Sequence, residues 1–247
     1  MENFDITKIE DFFSAIEEVK NKFGTVWFRG LTKKTYELEP SIYRSPYNPD
    51  LETNFLGSFM SKTPPFLDKM PKNDWEWLFI MQHYAVPTRL MDWTELPLVA
   101  LAFALKNIPE KVPTEDALIY CLNPVKLNEN VGGIMYDKNN SIPFINDKLN
   151  GVFGVGQTVS NNLPIAVIGP LNNHRIIAQK GAFTLFPHSL NKAFSKADKA
   201  DDFLITLTLK KDKLEDLKKC IENAGITQES LFPGLDSISK EITKKYK

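Results

Sequence analysis

Between residues 9 and 23 the apolar positions Ile9, Phe12, Phe13, Ile16, Val19 and Phe23 recur three and four apart, the spacing of one helical face. Thr7 and Glu10 stand ahead of this run as a capping box, and Gly24 supplies its stop. Residues 25–28 are β-branched and aromatic and predict a strand, with Arg29 and Gly30 at its exit. Residues 31–72 are rich in Pro, Tyr, Asn and Ser and read as an ordered loop region with one short helix near 52–59; their aromatics argue against disorder. Asn73 and Glu76 cap a second helix in DWEWLFIMQHYA, which must end before Pro87. Residues 87–93 read as a turn. Thr94 then predicts the cap of a third helix over 95–106, with Pro97 tolerated in its first turn. That helix, LPLVALAFAL, is apolar on nearly every face, so it belongs in the core, with Phe103 among its buried residues.

The second half has a different rhythm. Residues 116–122, 163–169, 181–187 and 202–209 are short, β-rich and separated by Pro, Gly and Asn. A charged helix over 211–223, closed by Gly225, precedes a turn and a last helix in TQESLFPGLDSISKEITKKYK. Helices lead, strands follow and helices finish, without the alternation of a doubly wound sheet. The expected fold is α+β, with helices around a central, mostly antiparallel sheet, in a single domain spanning 1–247.

Composition narrows the partners. Lys plus Arg number 30 against 31 Asp plus Glu, so no overall field draws the chain to nucleic acid or an anionic membrane, although a local patch could. The first residues lack the basic start and apolar run of a signal peptide, and no stretch approaches the roughly 20 apolar residues of a membrane span. A cytoplasmic protein without a membrane partner is expected. Cys121 and Cys220 lie far apart without a CxxC partner, so neither a disulfide framework nor a zinc site is indicated, and both are expected to be buried. No metal is expected.

The candidate chemistry falls in two clusters. Gln82, His83, Tyr84, Thr88, Arg89, Asp92, Trp93 and Thr94 crowd the interval between two apolar segments, where polar groups must pair or serve a ligand. Internal pairing would join Arg89 to Asp92 and leave Thr94 as a cap; the density of the cluster favours a ligand. His174, Arg175 and Gln179 precede a strand and His188 follows it. The glycine-rich stretch at 151–158 lacks the Lys-Ser/Thr of a phosphate loop and reads as a mobile turn. Arg29 ends an apolar strand before Gly30, which would let a ligand approach closely. It is expected to hold a phosphate, with His83, Arg89 and Asp92 nearby and Gln179 across the pocket. The alternative is a buried Arg29–Asp92 salt bridge.

WFRG, LEPSIYR, QHYAVPTRLMDWTELPLVALAFA, RIIAQKGAFTLFP and ITQESLFPGLD occur in that order between about residues 20 and 240. They resemble the FRG domain, whose Phe-Arg-Gly signature falls at Phe28, Arg29 and Gly30. The resemblance implies a bacterial or phage-associated protein of defence, toxin or mobile-element systems. The layout is also similar to ADP-ribosyltransferase-like folds, in which an early strand carries an arginine that grips NAD and a later strand carries Glu or Gln. On that analogy Arg29, His83, Asp92 and Gln179 are the catalytic candidates. Tyr84, Arg89, Thr94, Arg44 and Arg175 are the ligand-binding ones, and NAD or another phosphate-bearing nucleotide is the ligand. Many such transferases have glutamate where this chain has Gln179, which touches turnover more than binding. Two other classes stay open. One is a non-catalytic module recognising a protein or nucleotide signal through Tyr36, Tyr43, Arg44, Tyr47 and the cluster at 82–94. The other is a nuclease with Arg29, His83 and Arg89 around a phosphate of a nucleic-acid target.

Overall fold

The computed structural model describes residues 1–106, 113–131, 142–145, 147–158, 160–161, 163–170, 174–190 and 192–246. Its strands are β1 (Glu2–Ile6), β2 (Trp27–Leu31), β3 (Leu90–Thr94), β4 (Ala117–Leu122), β5 (Ser160–Asn161), β6 (Ile165–Val167), β7 (Gly181–Leu185), β8 (Ser189–Leu190) and β9 (Leu204–Leu209). Seven of them form one sheet in the order β1-β9-β4-β2-β3-β7-β6, and β5 with β8 forms a small parallel pair. Within the large sheet only β1 and β9 run parallel; the other pairings are antiparallel. The helices are α1 (Ile9–Phe23), α2 (Glu52–Lys62), α3 (Asp74–His83), α4 (Pro97–Ala104), α5 (Pro124–Val131), α6 (Asn150–Phe153), α7 (His174–Ala178), α8 (Ala200–Phe203), α9 (Leu214–Asn223), α10 (Gln228–Leu231) and α11 (Leu235–Lys245). The fold is α+β. No described helix is long and apolar enough to cross a membrane.

The register assigns each strand residue a face. Phe28 on β2 pairs with Thr94 on β3, and Asp92 pairs with Phe183 on β7. Counting in twos along each strand puts Phe28, Leu90, Asp92, Thr94 and Phe183 on one face and Trp27, Arg29, Met91 and Trp93 on the other. On the first face α1, α4 and α9 cover the β1-β9-β4-β2 end with Phe12, Ile16, Val19, Leu101 and Leu217. Trp75, Leu78 and Phe79 of α3 pack with Leu90, Ile165 and Phe183 at the other end. On the second face Trp27, Met91, Trp93, Tyr120 and Leu122 pack with Phe186, Phe194 and Phe203. Each large apolar side chain so buried contributes about 1.5–3 kcal/mol.

Several elements depart from the sequence expectation. Asp11, not Glu10, holds the start of α1, its carboxylate accepting from the backbone N–H groups of Thr7 and Lys8 and from the Thr7 hydroxyl. The strand β1 was not anticipated. Residues 90–93, expected as a turn, and Thr94, expected as a helix cap, form strand β3, while α4 begins only at Pro97. A Cβ on Gly30 would lie 2.0 Å from the Ala100 carbonyl oxygen and 2.6 Å from the Ala104 nitrogen. The missing side chain therefore admits helix α4 against β2 rather than a ligand. Phe103 is half-buried, edge-on to Phe232; Ala100, Leu101 and Ala104 form the sealed side of α4. Cys121 is buried and Cys220 is exposed.

Candidate functional site

Helix α3 stops where Ala85 takes a left-handed backbone (φ 59°) and Val86 N–H bonds to the Met81 carbonyl. That stop leaves Gln82 and His83 on the last turn, facing Asp92 in the middle of β3. Across from them α7 and the start of β7 bring Arg175, Gln179 and Gly181. Together with Phe79 and Phe183 these residues line a cleft of about 410 Å³, its open mouth included. The two rings meet edge-to-face at 4.8 Å and give the cleft an apolar floor.

The polar groups are held by a short chain of hydrogen bonds. Gln82 Nε2 donates to Asp92 Oδ2 at 2.9 Å, and the Thr88 hydroxyl donates to Gln82 Oε1 at 2.7 Å. Leu90 N–H in turn donates to Thr88 Oγ1 at 3.2 Å. Both ends of the Gln82 amide are thus engaged, and Asp92 is steered by a neutral group. Among the described residues no cation forms an ion pair with the exposed Asp92 carboxylate. Burial, and then the Arg175 guanidinium, hold His83 below the ordinary imidazole range, so it is neutral at pH 7. Arg175 rests its guanidinium 4.9 Å from the centre of the Phe232 ring, a cation–π contact. Gln179 Nε2 donates to the Leu231 carbonyl at 2.7 Å.

Thr94 belongs to the frame rather than to the cleft lining. Its hydroxyl donates to the Gln179 backbone carbonyl and accepts from Leu96 N–H at 3.0 Å. With Glu95 N–H bonded to the Lys180 carbonyl, it joins the end of β3 to the turn that carries Gln179.

The expected Arg29 site is different from the one observed. Arg29 leaves the sheet face opposite Asp92 and is absent from the cleft lining. Strands β2 and β3 meet at the single pair Phe28–Thr94, and beyond it the Arg29 Nη1 caps the Asp92 backbone carbonyl. No Arg29–Asp92 salt bridge forms. Arg29 Nε is buried with no partner among the described residues. Burial lowers the guanidinium to about 10, with Arg44 pushing the same way and Asp92 opposing; the group stays charged at neutral pH.

Arg89 also departs from expectation. It pairs with Glu52 at 2.7 Å, not with Asp92, and is 1% exposed. Its Nη2 donates to the carbonyls of Phe153 and Gly154 at 2.9 and 3.0 Å. A guanidinium so enclosed has no face for a ligand, and the glycine-rich segment expected to be a mobile turn is pinned by it. Arg44 is exposed and donates to the Glu39 carbonyl. Tyr84 stands 64% exposed beside His83, 4.9 Å ring to ring. His188 bonds to Asp50 at 2.8 Å. The side chain of His174 lies outside those described. Of the catalytic candidates, His83, Asp92 and Gln179 come together, with Arg175 from the ligand-binding set. Sequence reasoning missed Gln82 as the Asp92 partner, Glu52 as the Arg89 partner, and Leu231 and Phe232. The first stood next to His83 and the last two within ITQESLFPGLD. Glu52 carried no local signal.

Residues 24–112 match the family model of the FRG domain. The match is shorter than the span suggested by the motifs; it contains Arg29, Gln82, His83 and Asp92, while Arg175 and Gln179 lie outside it. No curated protein and no solved structure gave a match.

Proposed function

We propose that this FRG-domain chain binds a phosphate-bearing nucleotide in the cleft, with a nicotinamide dinucleotide as the ligand, in the manner of ADP-ribosyltransferase-like proteins. The observation that carries the reading is the convergence of His83, Asp92, Arg175 and Gln179 on one cleft with an aromatic floor. Arg175 offers a planar fork of donors to a phosphate. Phe79 and Phe183, 1% and 2% exposed, are packed behind these groups and close the floor of the cleft. Asp92 brings a carboxylate without a counter-ion to the same cleft. Breaking the bond between nicotinamide and ribose releases neutral nicotinamide and leaves positive charge on the sugar; a fixed carboxylate steadies that charge. His83, held neutral, is suited to take the proton of the attacking water or acceptor. The association of FRG domains with defence and mobile-element systems gives the reading its setting, a nucleotide-consuming or nucleotide-sensing chain in a bacterial cytoplasm.

Turnover and recognition share this geometry. The presence of Gln179 in place of a carboxylate favours recognition, whereas Asp92 favours turnover. The nuclease arrangement loses support, because Arg89 is sealed and Arg29 lies on the other face of the sheet. Calorimetric titration of NAD, ADP-ribose and inorganic phosphate into the wild type and Arg175→Ala tests binding. At least a roughly tenfold loss for the two nucleotides is expected in the variant, the scale of one charged hydrogen-bonding group. Release of nicotinamide by the wild type and not by Asp92→Asn would establish turnover. A folded wild type that binds none of the three overturns the proposal.

A further inference from the structure

Gln179 is a cleft group whose amide the fold orients through one end and leaves open at the other. A carbonyl oxygen only accepts hydrogen bonds, so the Leu231 carbonyl, 2.7 Å from Nε2, decides which end of the amide faces it. The nitrogen is turned toward residue 231, and Oε1 has no partner among the described residues. The next residue, Phe232, lies under the Arg175 guanidinium at 4.9 Å and under Lys106 Nζ at 4.7 Å, and meets Phe103 edge-on. Two consecutive residues of the LFPG run therefore hold two cleft groups, one through a backbone oxygen and one through a ring.

We infer that Leu231 and Phe232 set the polarity of the cleft, making Gln179 Oε1 a fixed acceptor for a ligand N–H and Arg175 the donor for its anion. Resting on the nucleotide reading, this assigns a ligand class: a nucleotide whose ring carries a hydrogen-bond donor such as a carboxamide, in preference to the same molecule with a carboxylate. A carboxylate there would face the amide oxygen and the nearby Asp92 without a donor between them, and a site built for an N–H rejects an analogue that lacks it. Position 179 itself is built for an amide. A glutamate would set a carboxylate oxygen against the Leu231 carbonyl and could restore the bond only by carrying a proton. Its folded pKa would therefore rise above the usual value of about 4.3. The contribution it makes is then present at low pH and lost as pH rises through the folded value.

Two measurements test this. The melting temperature of Gln179→Glu relative to wild type, followed from about pH 4 to pH 8, is expected to show a gap that is small in acid and widens toward neutral pH. A gap that does not change with pH overturns the orientation of Gln179, and needs no ligand to do so. Calorimetry with NAD and its nicotinic acid analogue is expected to show the wild type favouring NAD by at least about tenfold. Gln179→Leu should abolish the preference, and Phe232→Leu should weaken both ligands alike by loosening Arg175. Equal wild-type affinities overturn the ligand assignment while leaving the nucleotide reading in place. Binding of neither dinucleotide by folded wild type overturns both.

Discussion

Arg89 and the cleft are both rich in polar groups, yet they satisfy them differently. Around Arg89 a carboxylate and three backbone carbonyls surround one guanidinium, and neither Arg89 nor Glu52 exceeds 2% exposure. In the cleft, the Asp92 carboxylate is bonded to an amide, His83 is held neutral, and one end of Gln179 has no partner among the described residues. Buried charge costs several kcal/mol unless it is paired and hydrogen-bonded. The first arrangement meets that condition within the chain and is structural; the second leaves capacity for something outside it. Arg29 stands between the two, with one carbonyl bound and one buried nitrogen without a partner among the described residues.

The largest effect is expected at Arg89. Arg89→Met leaves the Glu52 carboxylate buried without a cation and should cost about 3–5 kcal/mol. Adding Glu52→Gln should restore part of that loss, since the two residues share one network. Denaturant midpoints read both values. An unchanged midpoint in the single variant would show that Arg89 is not the structural charge described here.

Arg29→Met should cost less, about 1–3 kcal/mol, because it strands only the Asp92 carbonyl. A loss equal to that at Arg89 would place Arg29 in the frame and not between frame and site. At Asp92 the contrast reverses. Asparagine keeps an oxygen for Gln82 Nε2, so Asp92→Asn should change stability by less than about 1 kcal/mol while lowering nicotinamide release at least about tenfold. Parallel losses of stability and activity would return Asp92 to a purely structural role.

These contrasts also separate what the chain announces from what it conceals. The face of α1, the Asn73 cap that starts α3, the Gly24 stop and the β-rich second half follow local periodicity and punctuation, which act over a few residues. Strand β3 was hidden because LMDWT is short and lies between Pro87 and Pro97, although Leu90, Asp92 and Thr94 do alternate with Met91 and Trp93. That single misreading displaced Arg29, because the face of a strand residue is known only once its neighbour is. The Arg89–Glu52 pair spans 37 positions and the Gln179–Leu231 bond spans 52. The second ends on a backbone oxygen, which every residue has, so nothing in the sequence marks it. His83, Asp92, Arg175 and Gln179 were nevertheless legible as chemistry, because polar residues crowded against apolar runs must be satisfied somewhere.

The smallest expected effect concerns His83, where stability and site electrostatics meet. Burial comes first and Arg175 second in holding its folded pKa below the ordinary 6.5. In the unfolded chain the imidazole takes up its proton near 6.5, while in the folded protein it resists protonation until the pH is lower. Over the interval below 6.5 the unfolded state binds more protons, so stability falls as the solution is acidified and is fully present above that value. His83→Gln removes the titrating group and should flatten this component. Arg175→Ala should shrink it by less, because burial is the larger cause. Melting temperatures of the three proteins between about pH 5 and pH 7.5 measure the effect, on a side chain too exposed for it to be large. Superimposable slopes for wild type and His83→Gln would mean that His83 is not depressed by its surroundings. It would then be partly charged near neutral pH and unsuited to accept a proton in the cleft.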